Sequence, residues 1–173
     1  MKIKSMSPIS LELSNHELAM AISSQAEIYE LCAYASNPHH AEYGFQFDFA
    51  ETVGISMEES HQFCDRLCRI WNKPDSVSKT MLGRLCDRLR RIWNKLKGRE
   101  PLYGCWNDPA GTIVFTHEEV RAIVNSIRKL LDPRSPLLEE LFTRTGTYES
   151  EFSAFADRLA AVLEEGQAPG NGG

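Results

Sequence analysis

Residues 64–73 read CDRLCRIWNK and residues 86–95 read CDRLRRIWNK, ten positions written twice at a spacing of 22, with only Cys68 against Arg90 differing. A third, diverged version follows near the end of the chain as Phe155-Ala156-Asp157-Arg158-Leu159, matching Phe63-Cys64-Asp65-Arg66-Leu67. Aligning Gly54 with Gly146 and running forward over 54–71 and 146–163 gives six identities in 18 positions: Gly, Glu, Phe, Asp, Arg and Leu. The shared pattern is an apolar residue, a small residue and then Asp-Arg-Leu, which reads as a helix with Leu in a core and the charged pair beside it.

The match extends upstream. Ser14-Asn15-His16-Glu17 and Thr116-His117-Glu118-Glu119 both have the spacing of a capping box. Helical periodicity follows each, through Leu18, Ala21, Ile22, Ile28, Tyr29 and Cys32 in one case and Val120, Ile123, Val124, Ile127, Leu130 and Leu131 in the other. Asn37-Pro38 and Asp132-Pro133 end the two runs. Short alternating stretches, Ile9/Leu11/Leu13 and Ile113/Phe115, precede the boxes and read as brief strands. The expected fold is therefore mainly α, built from two diverged helical-hairpin repeats and one duplicated basic helix that share a single core, with at most a tiny two-stranded sheet. The boundaries are 1–73 for the first unit, 74–99 for the extra helix, 100–164 for the second unit and 165–173 for a disordered tail, all within one compact domain. Within this reading 56–72 and 78–97 are helices, and Asp108-Pro109-Ala110-Gly111 is a turn. The first connector is longer than the second, and its excess falls in 37–49, where Tyr43, Phe45, Phe47 and Phe49 alternate.

Charge is polarised. The net value of −5 hides two bases against ten acids in 1–65, eleven bases against two acids in 66–99, and six bases against twelve acids in 100–173. The chain has 42% hydrophobic and 25% charged residues, the balance of a globular protein, and no run long enough for a membrane span. The opening MKIKSMSPISLEL lacks the apolar centre of a secretory leader, so a cytoplasmic location is the expectation.

Three kinds of chemistry compete for these residues. His61, Cys64 and Cys68 fall at i, i+3 and i+7, with Cys86 on the next helix, but the duplicate puts Gly83 and Arg90 where His61 and Cys68 stand. The third version has Ala156 and Ala160 at the cysteine positions, which marks them as small core sites. No metal or other cofactor is expected. His39 and His40 with Tyr43 form a candidate loop cluster, but no phosphate loop or nucleophile motif accompanies it, and the chain reads as non-enzymatic. Arg84, Arg88, Arg91 and Lys95 make a basic stripe beside the apolar stripe Leu82, Leu85, Leu89, Ile92 and Leu96, while Arg66 and Arg69 occupy matching positions on the preceding helix. Trp71 and Trp93 take equivalent places, reading first as caps on the core and second as aromatic anchors beside basic residues.

The run Phe142-Thr143-Arg144-Thr145-Gly146 leading into a last amphipathic helix is similar in style to small bacterial proteins, some of them immunity or antitoxin partners of toxins. That similarity names no family and transfers no functional residue. The expected function is a protein-binding module of the toxin-neutralising kind, acting by surface occlusion. The alternative is a nucleic-acid-binding regulator that uses the basic helix 78–97.

Overall fold

In a computed structural model the described residues are 8–37, 47–71 and 109–165. They form β1 (Ile9–Ser14), α1 (Asn15–Ala35), α2 (Phe49–Val53), α3 (Met57–Trp71), β2 (Pro109–Phe115), α4 (His117–Leu130), α5 (Leu138–Thr145) and α6 (Glu149–Glu165). The architecture is mainly helical with one small two-stranded sheet.

Both capping boxes form. Ser14 Oγ accepts from the Glu17 amide at 3.2 Å while Glu17 Oε2 accepts from the Ser14 amide at 2.8 Å. Thr116 Oγ1 and Glu119 repeat the exchange at 3.1 and 2.8 Å. Each box satisfies amides that the first helical turn leaves without intrahelical partners, which fixes where α1 and α4 start. Ser56 and Glu59 make a third box at the head of α3, with distances of 3.2 and 2.8 Å. Hydrogen bonds from the Ser56 amide and hydroxyl hold the Glu59 carboxyl below its ordinary value.

The strands pair antiparallel, Ile9 with Phe115, Leu11 with Ile113 and Leu13 with Gly111. Leu11 and Ile113, which face each other, each stand three residues ahead of their capping residue, Ser14 or Thr116. Leu13, Ile113 and Phe115 turn into the core, whereas Ser10, Glu12, Thr112 and Val114 lie on the outer face. The strand begins at Pro109, where the sequence pattern called for a turn. Pro109 falls at the register shift between Leu13 and Ser14, a place where a strand tolerates a residue without an amide proton.

α1 is the central helix, buried on several sides through Leu18, Met20, Ala21, Ser24, Gln25, Glu27, Ile28 and Leu31. It packs against α3, α4 and the sheet, while α6 packs against α4. Buried side chains from all of these elements belong to one apolar cluster. Each fully buried Leu, Ile or Phe in it is worth about 1.5–3 kcal/mol of transfer free energy. Within this core, Gln25 Nε2 donates to Ser126 Oγ at 3.2 Å and Gln25 Oε1 accepts from Ser60 Oγ at 3.1 Å, so α1, α3 and α4 meet at a small polar contact.

Two elements absent from the sequence reading are α2 and α5. Each ends at a glycine in the left-handed region, Gly54 at φ 92° and Gly146 at φ 62°, the conformation that lets the chain turn at once into α3 or α6.

Candidate functional site

α3 carries two apolar stripes. Ser60, Phe63, Leu67 and Ile70 recur at intervals of three and four and face the core, the first three buried and Ile70 half-buried. Met57, His61, Cys64, Cys68 and Trp71 recur at intervals of four and three and fall within an arc of about 80° beside the first stripe. This second stripe is a shoulder of soft, polarisable side chains. Met57 is 47% exposed and Trp71 44% exposed, His61 is exposed, and both cysteines are half-buried free thiols. Glu58, Gln62, Asp65 and Arg69 take the next sector of the helix and are exposed, as the amphipathic pattern requires.

An aromatic array braces the head of this shoulder. The Tyr29 hydroxyl donates to the Met57 carbonyl, and the Tyr29 ring meets His61 edge-on with centroids 6.2 Å apart. On its other side Tyr29 stacks on Phe49 at 5.2 Å, and Phe49 meets Phe47 edge-on at 6.2 Å. Lys129 Nζ lies 5.8 Å from the Phe47 ring centroid, a cation–π distance. The array fixes the N-terminal half of α3 against α1 and α2, so Met57 and His61 are held on rigid elements rather than on a loop.

Burial pushes the Cys64 thiol up to about 11, with the neighbouring Cys68 and Asp65 adding to the effect. Such a thiol stays protonated at neutral pH and behaves as a small apolar group. His61 Nε2 lies 3.9 Å from Asp65 Oδ2 one turn along the helix. Among the described residues no group of three His, Cys, Asp or Glu side chains is placed to hold a metal ion. Among them also, no helix is long and apolar enough to cross a membrane.

Several of the residues singled out from sequence occupy defined places. The Arg66 guanidinium lies 2.7 Å from Glu119 Oε2 and over the rings of Phe63 and Phe115, with its Cζ 5.5 and 6.0 Å from their centroids. This ties α3 to the capping box of α4. Arg158 does the same for the other helix pair, pairing with Glu17 of the α1 box and lying 5.7 Å from the Phe155 centroid. Arg69 is exposed, and Trp71 stands at the last turn of α3 with part of its ring in solvent. Arg84, Arg88, Arg91, Lys95 and Trp93 lie outside the described residues, as do His39, His40 and Tyr43. Sequence reading weighed His61, Cys64 and Cys68 as a metal set, set that aside in favour of cysteines as small core residues, and passed over Met57, which completes their helical spacing toward the N-terminus as Trp71 does toward the C-terminus. That spacing was the available signal.

No protein-family model, no curated protein and no solved structure matches this chain.

Proposed function

We propose that this protein is a non-enzymatic protein-binding module that occludes a partner's surface, in its most specific form a neutraliser of a toxin. The observation that carries the reading is the shoulder of α3, where Met57 and Trp71 are large, exposed and aligned on a rigid helix. The basic segment 66–99 begins on this same helix and continues from its end. Aromatic and Met anchors supply affinity at such surfaces, and a charge block in an otherwise acidic chain speeds encounter with an acidic partner.

Architecture of the finer kind is part of the proposal: two diverged copies of a strand–helix–short helix–helix unit. The reciprocal pairs Arg66–Glu119 and Arg158–Glu17, the left-handed glycines Gly54 and Gly146 and the facing of Leu11 with Ile113 all support it.

The test is affinity capture from the source organism with wild-type protein and with the variant Arg84→Ala/Arg88→Ala/Arg91→Ala/Lys95→Ala. The expected result is one stoichiometric protein partner, lost in the variant while its circular dichroism and thermal midpoint are unchanged. Absence of any stoichiometric protein partner sinks the reading. The excess of bases in 66–99 favours one alternative, nucleic-acid binding. A steep loss of affinity for random duplex DNA between low and moderate salt, abolished in the same variant, would support that alternative instead.

A further inference from the structure

We propose that Cys64 and Cys68 form a dithiol site for a monosubstituted trivalent arsenical, a soft electrophile that needs only two protein sulfurs. The site stands whether or not the α3 shoulder binds a protein partner.

Spacing on α3 selects the ligand class. The two cysteines sit at i and i+4, about 6 Å apart along the helix axis and about 40° apart around it. Both are free thiols and both are half-buried, so the helix holds them while solvent still reaches them. The Cys64 thiol donates a hydrogen bond to Cys68, which draws the two side chains together. Cβ atoms at this helical spacing lie about 5–6 Å apart. A disulfide requires about 3.5–4.5 Å between them, so α3 must distort before the two sulfurs can join directly. A single atom bridging the sulfurs removes that shortfall.

The number of donors selects further. Structural zinc takes four ligands, whereas among the described residues no set of three His, Cys, Asp or Glu side chains is grouped to hold a metal ion. A trivalent arsenic that already carries one carbon substituent has two positions left to fill, which matches the pair, and soft sulfur suits a soft centre. Packing does not call for the sulfurs. With Gly54 set on Gly146, Cys64 and Cys68 fall on Ala156 and Ala160, and α6 packs with no sulfur at either place. Trp71 follows Cys68 by three residues on the same arc and is 44% exposed, a ring placed to cover an aryl group on the arsenic.

Loading is a condensation with no redox change. In water the arsenical is the dihydroxy form, R–As(OH)2. Two As–O bonds break and two As–S bonds form, the thiol protons leave with the hydroxides as two molecules of water, and arsenic stays trivalent. Attack starts from a thiolate, so loading quickens as pH rises.

Phenylarsine oxide is the probe. The full chain carrying Cys32→Ser/Cys86→Ser/Cys105→Ser keeps the pair alone, and Cys64→Ala or Cys68→Ala is added to it in turn, alanine being the residue α6 uses. Intact mass under excess monothiol is expected to show one phenylarsenic group per chain with two waters lost, removable by a dithiol. Closing the second bond within one chain strengthens binding by about 10²–10⁴-fold, so each single-cysteine variant should hold the probe more weakly by that factor. The thermal midpoint should rise on loading, since the folded helix is the form that binds. Peptide mapping of the loaded wild-type chain should place the group across 64–68. Equal retention by the single-cysteine variants, no adduct surviving excess monothiol, or a wild-type link that spans other cysteines overturns the dithiol site. A midpoint that falls on loading also overturns it, because the thiols are then bridged only after α3 unfolds.

Discussion

Gln25→Leu probes the polar contact on which three helices converge. Gln25, Ser60 and Ser126 are all 0% exposed, and Gln25 bonds Ser60 at 3.1 Å and Ser126 at 3.2 Å. Leucine keeps most of the volume and strips both serines of their partner. A buried hydroxyl left without a partner costs about 1–3 kcal/mol. A helical serine can turn back on a carbonyl of the preceding turn, as Ser24 Oγ does on the Ala21 carbonyl at 2.8 Å, so neither orphan should incur the full cost. The expected loss is about 2–4 kcal/mol. A triple variant, Gln25→Leu/Ser60→Ala/Ser126→Ala, removes the orphans and should return to within about 1 kcal/mol of wild type, because the net gain from paired buried hydrogen bonds is small. Urea unfolding followed by far-ultraviolet circular dichroism reads both differences, provided the slopes agree. The reasoning is refuted if Gln25→Leu costs less than about 0.5 kcal/mol, the range of an inconsequential surface change, or if the triple variant is no more stable than the single one.

Gly54→Ala and Gly146→Ala should each destabilise by about 1–2 kcal/mol in the same assay, because both glycines hold the left-handed conformation. Double-mutant cycles on Arg66/Glu119 and on Arg158/Glu17 should each return a coupling of about 0.2–1 kcal/mol that shrinks with added salt. The partners are similarly exposed, 43% and 18% in one pair against 50% and 19% in the other, so the two couplings should agree within a few tenths of a kcal/mol. Alkylation of Cys64, followed by peptide mass mapping, should rise with pH around a midpoint of about 11 rather than 9.0. Folding raises this thiol's value, so the folded state favours its protonated form. The stability it contributes is present at neutral pH and is lost as pH climbs from 9.0 towards about 11.

Features held by a few consecutive residues were legible in the sequence. The two capping boxes need only Ser or Thr and a Glu three residues on, and both helices start where those residues stand. The inward faces of α1 and α4 follow from apolar spacing for the same reason. What failed depends on distant partners. Pro109-Ala110-Gly111 has turn composition, yet β1, about a hundred residues away in sequence, supplies the ladder that makes it a strand. α2 is five residues long and α5 eight, too short for a periodicity to declare itself. Arg66 reads from spacing as one of a basic row, and only the fold brings it to Glu119, 53 residues away. The α3 shoulder was legible residue by residue, but its cysteines read one by one as small core positions, whereas their regular spacing from Met57 to Trp71 describes a half-exposed surface.

The doubled CDRL-x-RIWNK poses a selection problem, and the core contains a physical answer. An offset of 22 residues turns a helix by about 40° beyond six full turns, so the two sequences would keep their apolar stripes in similar phase and either could be asked to fill the place against α1. The two sequences are not equally suited to it. Where α3 has Ser60, the duplicate has Leu82, and where α3 has Phe63, the duplicate has Leu85. Leu82 beside Gln25 would leave the amide oxygen without the donor that Ser60 supplies, in a site with no exposure to water. Leu85 would forfeit the edge-on contact of Phe63 with Phe115, whose centroids are 6.1 Å apart. The polar contact thus fits the sequence of 56–71 better than that of its near-identical copy, at the cost of burying three polar side chains.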